Sequence, residues 1–394
     1  MKKNILSFLF LSMLLECSYA QVVRCDHEKL LTENFNMVLE KADRAKSQSI
    51  FVIPTVVHVV YKSQTENISE SQIMSQFNVI NNDFRLRNSD TLNVDPDFSK
   101  ADVKIEFCLA RRDPDGNPSS GINRISTNED DIGLSERYYQ IQPAWNPDEY
   151  LNIWVVDYGE INGNIVLGRA TPPGHTPRSQ DGVVINYQAF GTTGPVVPSY
   201  DLGRTLTHEI GHWLNLLHIW GRNDQNPNCA DDDLIADTPN QSDVYFNCNT
   251  NPSLSCGSKD MLSNYMGYVE DACMGNFTEG QRDWMRTALV TLRPSLLLSN
   301  GCLPVGLDEV KLKAHTHIFP NPVNQKLTIQ FDQMVDRSLE ARIHDLKGKL
   351  IHASTIPEGT TSHSIATFDL KEGVYLLSLK DFRFVIKQKI VVQH

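Results

Sequence analysis

The stretch that most constrains this chain is Thr207–Trp220, THEIGHWLNLLHIW. Residues four apart share one face of a helix, so His208 and His212 aim two imidazoles at one point, with Glu209 on the turn between them. That spacing predicts a helical zinc site with a glutamate as general base. Hydrolytic zinc takes three protein ligands and keeps one position open for water, and His218 is the candidate third ligand. On a continuous helix it would lie about 15 Å beyond His208. It reaches the same ion only if the helix stops near Asn215, in the left-handed backbone that glycine and then asparagine tolerate best. The competing reading is a histidine cluster satisfied within a core.

HEIGHWLNLLH resembles the metzincin zinc signature, with Asn215 where that group usually has glycine. Asn264-Tyr265-Met266-Gly267-Tyr268 is similar to the methionine turn of its pappalysin branch. IPTVVHVVY (Ile53–Tyr61), IEFCLA (Ile105–Ala110), DPDGNPSSGINR (Asp113–Arg124) and CADDDLIADTP (Cys229–Pro239) extend the resemblance over Ile50 to Cys302. The resemblance implies an α/β (α+β) metzincin-type catalytic domain: a mixed sheet with the zinc helix beneath it. It implies a peptide hydrolase in which Glu209 takes a proton from zinc-acidified water and Met266 underlies the metal without ligating it. Tyr268 would then hold the developing oxyanion, the competing reading being a structural core tyrosine.

Residues 1–20 read as a secretory signal peptide: Lys2 and Lys3, an apolar run Ile5–Leu15, then small residues before Gln21. No other stretch approaches membrane-spanning length. Glu16 makes Cys17 a poor lipidation site, so Cys17 should leave with the signal and seven cysteines remain in an oxidising compartment. The resemblance pairs Cys229 with Cys256 and Cys248 with Cys273. Cys108 with Cys302 is then a guess, with Cys25 left over. Residues 21–50 read as a pro-segment cleavable after Arg44 or Lys46. Cys25 is a candidate latency switch, its thiolate filling the open zinc position, against a reading as a disulfide partner or inert thiol.

Between His218 and the methionine turn lies an acidic loop: Asp224, Asp231, Asp232, Asp233, Asp237 and Thr238. Clustered carboxylates in irregular backbone suit calcium, and related pappalysins bind it near here; Asp232, Asp233, Asp237 and Thr238 are the candidate ligands, against a merely solvated loop. Glu270-Asp271 borders the pocket expected for the residue after the cut, where the resemblance implies a basic preference.

Phe51–Tyr61 is β-branched and almost continuously apolar, the pattern of a buried central strand, and its His58 reads as structural. Ser69-x-x-Gln72 predicts a capping box before an amphipathic helix carrying Ile73, Phe77, Ile80 and Phe84. Further strands are expected at Asp102–Ala110, Tyr150–Tyr158 and Gly182–Tyr187; the resemblance makes the last the upper edge of the sheet, facing the cleft, against a reading as an ordinary edge strand. A helix over Thr278–Leu298 should close a catalytic domain of residues 51–303.

After a linker at 304–313, residues 314–394 turn to short alternating strands, as in a small β-sandwich. HIFPNPV, GVYLL and IKQKIVV resemble the C-terminal sorting domain of the type IX secretion system, which implies that machinery as a partner and export across an outer membrane. A formal net charge of -12 argues against nucleic acid. Protein or peptide substrates are the other expected partners. The alternative class is a surface binding or adhesion protein with a structural zinc site, and an intact Glu209 argues against it.

Overall fold

A computed structural model describes residues 22–25, 49–175, 177–223, 226–248, 253–304, 315–335, 338–380 and 385–394. The expected signal peptide, the cleavage points Arg44 and Lys46, Asp224 and nearly all of the linker lie outside the described residues.

The first sheet is built on β1 (Phe51–Tyr61), the near-continuous apolar run. β2 (Ile105–Leu109) and β3 (Ile122–Ser126) run parallel to it along one edge, end to end, against Phe51–Thr55 and Val57–Tyr61. β4 (Leu151–Val156) pairs with its other edge, also parallel. β5 (Gly168–Ala170) and β6 (Val183–Asn186) complete the sheet in the order β2/β3-β1-β4-β6-β5. Only β5 runs antiparallel, so the sheet is mixed.

Gly182–Tyr187 is therefore not the upper edge expected of it. It forms an inner strand, and Gly168–Ala170 folds back against it as the edge. A three-residue strand with glycine and arginine in it carries no β-branched run by which its position could be read. The strands at 102–110 and 150–158 also prove shorter than expected, at Ile105–Leu109 and Leu151–Val156.

Both faces of the sheet are covered, which explains the unbroken apolar pattern of β1. Ile53, Val57, Val59, Ile153, Val155, Val183 and Ile185 face one core, which they share with Ile73, Phe77 and Ile80 of α1 (Glu70–Asp83) and Leu206 and Ile210 of α2 (Arg204–Trp213). Val60, Trp154, Val156 and Val184 face a second core with Tyr138 and Tyr158. Two-residue alternation thus persists inside a strand that looks uniformly apolar.

Helix ends follow local chemistry. Ser69 Oγ accepts from Gln72 N at 3.1 Å, but the Gln72 amide donates to Phe190 O at 2.8 Å, so only half of the expected capping box forms. α3 (Glu279–Leu292) has the full reciprocal box between Thr278 and Gln281. It ends six residues before the expected Leu298, because Pro294 expels Arg293 from helical backbone and the chain continues as a 3-10 turn.

The C-terminal region is all β. One antiparallel sheet joins Thr316–Phe319, Lys326–Phe331 and Ser362–Ala366; a second joins Leu350–Ile356, Leu339–Asp345, Gly373–Lys380 and Val385–Val392. Leu327 and Ile329 of the first and Ile343, Leu377 and Leu379 of the second share one core. Among the described residues no helix is long and apolar enough to cross a membrane.

Candidate active site

α2 carries His208, Glu209 and His212, all buried, and stops where the sequence requires. Leu216 N donates to Gly211 O at 2.9 Å and Asn215 N to His212 O at 2.8 Å, the bond pair of a Schellman cap, with Asn215 left-handed at φ 74°. The reversal returns His218 to the first two histidines. His212 Nε2 lies 3.1 Å from His208 Nε2 and 3.0 Å from His218 Nε2.

The opposite ring nitrogens are held as well. His208 Nδ1 meets Tyr265 O at 2.7 Å and His212 Nδ1 meets Leu216 O at 2.8 Å. A donor Nδ1–H on each carbonyl leaves Nε2 as the atom that could ligate a metal. The helix exit thus both delivers the third histidine and orients the second.

α3 braces the site from below. The side-chain amides of Asn264 and Gln281 bond each other in both directions, at 2.8 and 2.9 Å, while Asn264 Oδ1 also accepts Met266 N. Trp284 Nε1 donates to Asn215 O at 2.8 Å, pinning the left-handed residue. Met266 is fully buried, and a Cβ at Gly211 would run into its Sδ, so the methionine packs directly under α2. From above, a Cβ at Gly168 of edge strand β5 would touch Glu209 Cγ at 3.0 Å. Arg204 pairs with Asp83 and Asp90, and Thr207 Oγ1 donates to Asp83 Oδ2 at 2.6 Å, docking α2 on α1. Burial pushes the Asp83 carboxyl up from its ordinary value, while Arg204 pulls it down.

The residues ahead of the sheet enter the same site. Val22–Val23 pairs in parallel with Ile165–Val166. Cys25, His208, His212 and His218 then offer ligand atoms that all lie within 4.8 Å of one another, the only such group among the described residues. Three imidazole nitrogens and a sulfur are a donor set that fits zinc. Cys25 Sγ lies 3.5 Å from Glu209 Oε2.

Arg24, which sequence reasoning passed over, is fully buried beside it. Its Nη2 donates to Asp271 Oδ1 at 2.7 Å and lies 3.2 Å from Met274 Sδ, its Nη1 donates to Val269 O, and its guanidinium stands 5.1 Å from the Tyr200 ring centre. Of the acidic pair, Asp271 is therefore the buried partner, and Glu270 is only partly buried. The one sequence signal was an arginine adjoining the candidate thiol.

Tyr268 is 6% exposed, with its ring centre 4.7 Å from that of His218 and 5.7 Å from that of His208. Trp220 stacks on His218 at 4.7 Å, and Phe246, largely exposed, lies 6.0 Å from Tyr268. The chain joins Cys108 to Cys302, Cys229 to Cys256 and Cys248 to Cys273, and Cys25 is the one described cysteine outside a disulfide.

The acidic loop is engaged with the protein itself. Asp233, buried, accepts from Thr238 Oγ1 and Ile235 N, and Asp237 accepts from Thr278 Oγ1, Ser99 Oγ and Gly280 N at the start of α3. Burial pushes the Asp233 carboxyl up to about 8, against its bonds from Thr238 and Ile235 and with Asp232 and Asp237 adding repulsion. Asp232 Oδ1 accepts from Leu234 N, and of the candidate calcium ligands Thr238 bonds Asp233, while Asp232, Asp233 and Asp237 do not form a group of carboxylates within 4.8 Å of one another as Cys25 and the histidines do. His58 is structural: it bonds Asn152 at 2.9 Å and Asn123 at 3.2 Å and stacks on Trp154, and burial lowers it to about 4.

Residues 137–290 match the peptidase M43 family, pregnancy-associated plasma protein-A, and residues 317–393 match the secretion system C-terminal sorting domain. An extracellular metalloprotease of the fungus Arthroderma benhamiae is 30% identical over 259 residues, 65% of this chain and 83% of that one. Mature mirolysin of Tannerella forsythia in complex with a cleaved peptide is 42% identical, with a TM-score of 0.58, covering 64% of this chain and 97% of that one. A promirolysin mutant from the same organism is 40% identical, with a TM-score of 0.61, covering 67% and 89%. The chain thus belongs to the peptidase M43, or pappalysin, family, as a secreted metalloendopeptidase with a C-terminal sorting domain.

Proposed function

We propose that this chain is a zinc endopeptidase made latent by its own residues 21–50, which cuts peptide bonds ahead of a basic residue with Glu209 as general base. One observation carries the reading: three imidazole Nε2 atoms and the Cys25 sulfur converge on one point, with the Glu209 carboxylate 3.5 Å from that sulfur. Bound by His208, His212 and His218, zinc would supply polarisation of the scissile carbonyl and acidification of water.

The protein's own groups do the rest. Cys25 holds the place next to Glu209 that water takes once the pro-segment leaves. Glu209, walled in by Gly168 above and buried on α2, accepts the proton of that water and returns it to the leaving amine. The Tyr268 hydroxyl donates to the oxygen on which negative charge develops; the support is its ring, edge-on to His218. Met266 keeps the helix floor rigid.

The fit of Arg24 supports the basic preference. Asp271 Oδ1 and Val269 O accept from two different guanidinium nitrogens and the Tyr200 ring faces the cation, a fork that suits arginine better than lysine. A substrate arginine would replace Arg24. In this reading residues 1–20 lead the chain to export, cleavage after Arg44 or Lys46 frees the cleft, and residues 314–394 engage a type IX secretion machinery.

The test uses zinc-loaded full-length chain, cleaved in the 44–46 region by a serine protease that is then inhibited, with casein and a peptide library as substrates. The parent cleaves and Glu209→Ala does not, although both hold one zinc per chain. Equal rates would remove Glu209 from the chemistry. Cuts without arginine enrichment on the side after the bond would remove the basic preference.

A further inference from the structure

Asp271 has two oxygens, and they face different tasks. Oδ1 takes the Arg24 guanidinium at 2.7 Å. Oδ2 accepts Leu202 N at 3.0 Å and Arg204 N at 3.1 Å, the backbone donors at the start of α2. Leu202 N lies just ahead of the cap, whereas Arg204 N is the first donor of α2 and needs an acceptor from elsewhere, because the first turn of a helix leaves its N–H groups unpaired and the N-cap residue here, Gly203, has no side chain to offer. Asp271 N in turn donates to Ser199 O at 2.9 Å, which ties the 199–204 segment to the backbone of this residue as well as to its carboxylate. His208 and Glu209 follow within about one turn of Arg204 on the same helix.

We infer that Asp271, beyond its place in the basic pocket proposed above, is a positioning residue for the catalytic helix. It reads the cation in the pocket with one oxygen and holds the amino-terminal end of the catalytic helix with the other. The inference rests on the basic-pocket reading for its first half only. Its second half stands on the helix bonds alone, so a substrate without a basic residue also depends on Asp271.

The experiment uses the full-length, zinc-loaded chain carrying Arg24→Ala and Cys25→Ala, with Asp, Asn or Ala at position 271. Two peptides are compared, identical except for arginine or leucine after the bond. Asp271→Asn keeps an oxygen for the helix and loses the charge. It should raise KM for the arginine peptide at least tenfold relative to the leucine peptide, with the Leu202 and Arg204 amides exchanging as they do in the Asp form. Asp271→Ala should lower kcat on the leucine peptide at least tenfold, and the Leu202 and Arg204 amides should exchange with solvent at least tenfold faster than in the Asn variant. If Ala and Asn give the same kcat on the leucine peptide and the same exchange, the positioning role is wrong. If arginine preference survives in the Asn variant while the Ala variant still loses kcat, the pocket reading fails and the positioning role stands.

Discussion

Arg24 gives the sharpest prediction, because its side chain and that of Asp271 are both fully buried. Arg24→Ala removes two guanidinium bonds and leaves the carboxylate without its cation. Breaking a buried pair from one side costs about 3–5 kcal/mol. The lower figure applies here, because the vacated pocket admits water and Oδ2 keeps its two amide donors. About 3 kcal/mol lost only from the docked pro-segment shifts its docked-to-released ratio roughly 100-fold.

That shift is read as activity of the uncleaved chain. Initial rates on an arginine-containing fluorogenic peptide are compared for intact zinc-loaded parent, Arg24→Ala, Arg24→Lys and Cys25→Ala, with intactness followed on gels. The expected order is parent below Arg24→Lys below Arg24→Ala, the last about 100-fold above the parent until full activity is reached. Lysine keeps the charge but cannot reach Asp271 and Val269 together, so its effect is intermediate. Combined with Cys25→Ala, the arginine effect should persist, because it acts at the pocket and not at the metal. An Arg24→Ala rate within threefold of the parent would refute the idea that the pocket anchors the pro-segment.

Three further outcomes follow from single residues. Asn215→Gly should raise the melting temperature, by about 1 kcal/mol in stability: glycine tolerates φ 74° and removes a buried amide nitrogen without an acceptor, offset partly by its looser unfolded chain; Asn215→Val should lower it. Burial depresses His58 to about 4 from an ordinary 6.5, so the folded state refuses a proton that the unfolded chain accepts. Stability from this residue is whole above pH 6.5 and is lost as pH falls through 4, on the order of 3 kcal/mol, and denaturant titrations of zinc-free His58→Gln should show a flatter decline over that window than the parent. Calcium added to the zinc-saturated chain should raise the melting temperature of the parent by several degrees and leave Asp233→Asn unmoved, since Asp232 and Asp237 flank a buried carboxylate that a cation would offset; an equal response of the two would take the ion out of this loop.

What the sequence discloses here depends on how far apart the partners lie. His208, Glu209 and His212 are legible because helical spacing alone puts them on one face, and Asn215 because the return of His218 demands a left-handed stop within a few residues. Pro294 ends α3 early by a rule as local, which the apolar run through Leu298 obscures. The pocket is different in kind. Arg24 meets Asp271 across 247 positions, and Asp271 meets the start of α2 across 67. Nothing in the periodicity of a polar segment distinguishes Arg24 from its charged neighbours. Nothing in the pair Glu270-Asp271 says which carboxylate turns inward, until the 3-10 turn Asp271–Cys273 leaves Glu270 outside as its cap. The candidate metal ligands are thus written in one local repeat, whereas the proposed selectivity and latency rest on a contact that exists only after the sheet and α2 have formed. On the proposed reading, a chain would keep HExxH intact and change what it cuts, or when it starts cutting, through substitutions at positions 24 and 271 that no motif would flag.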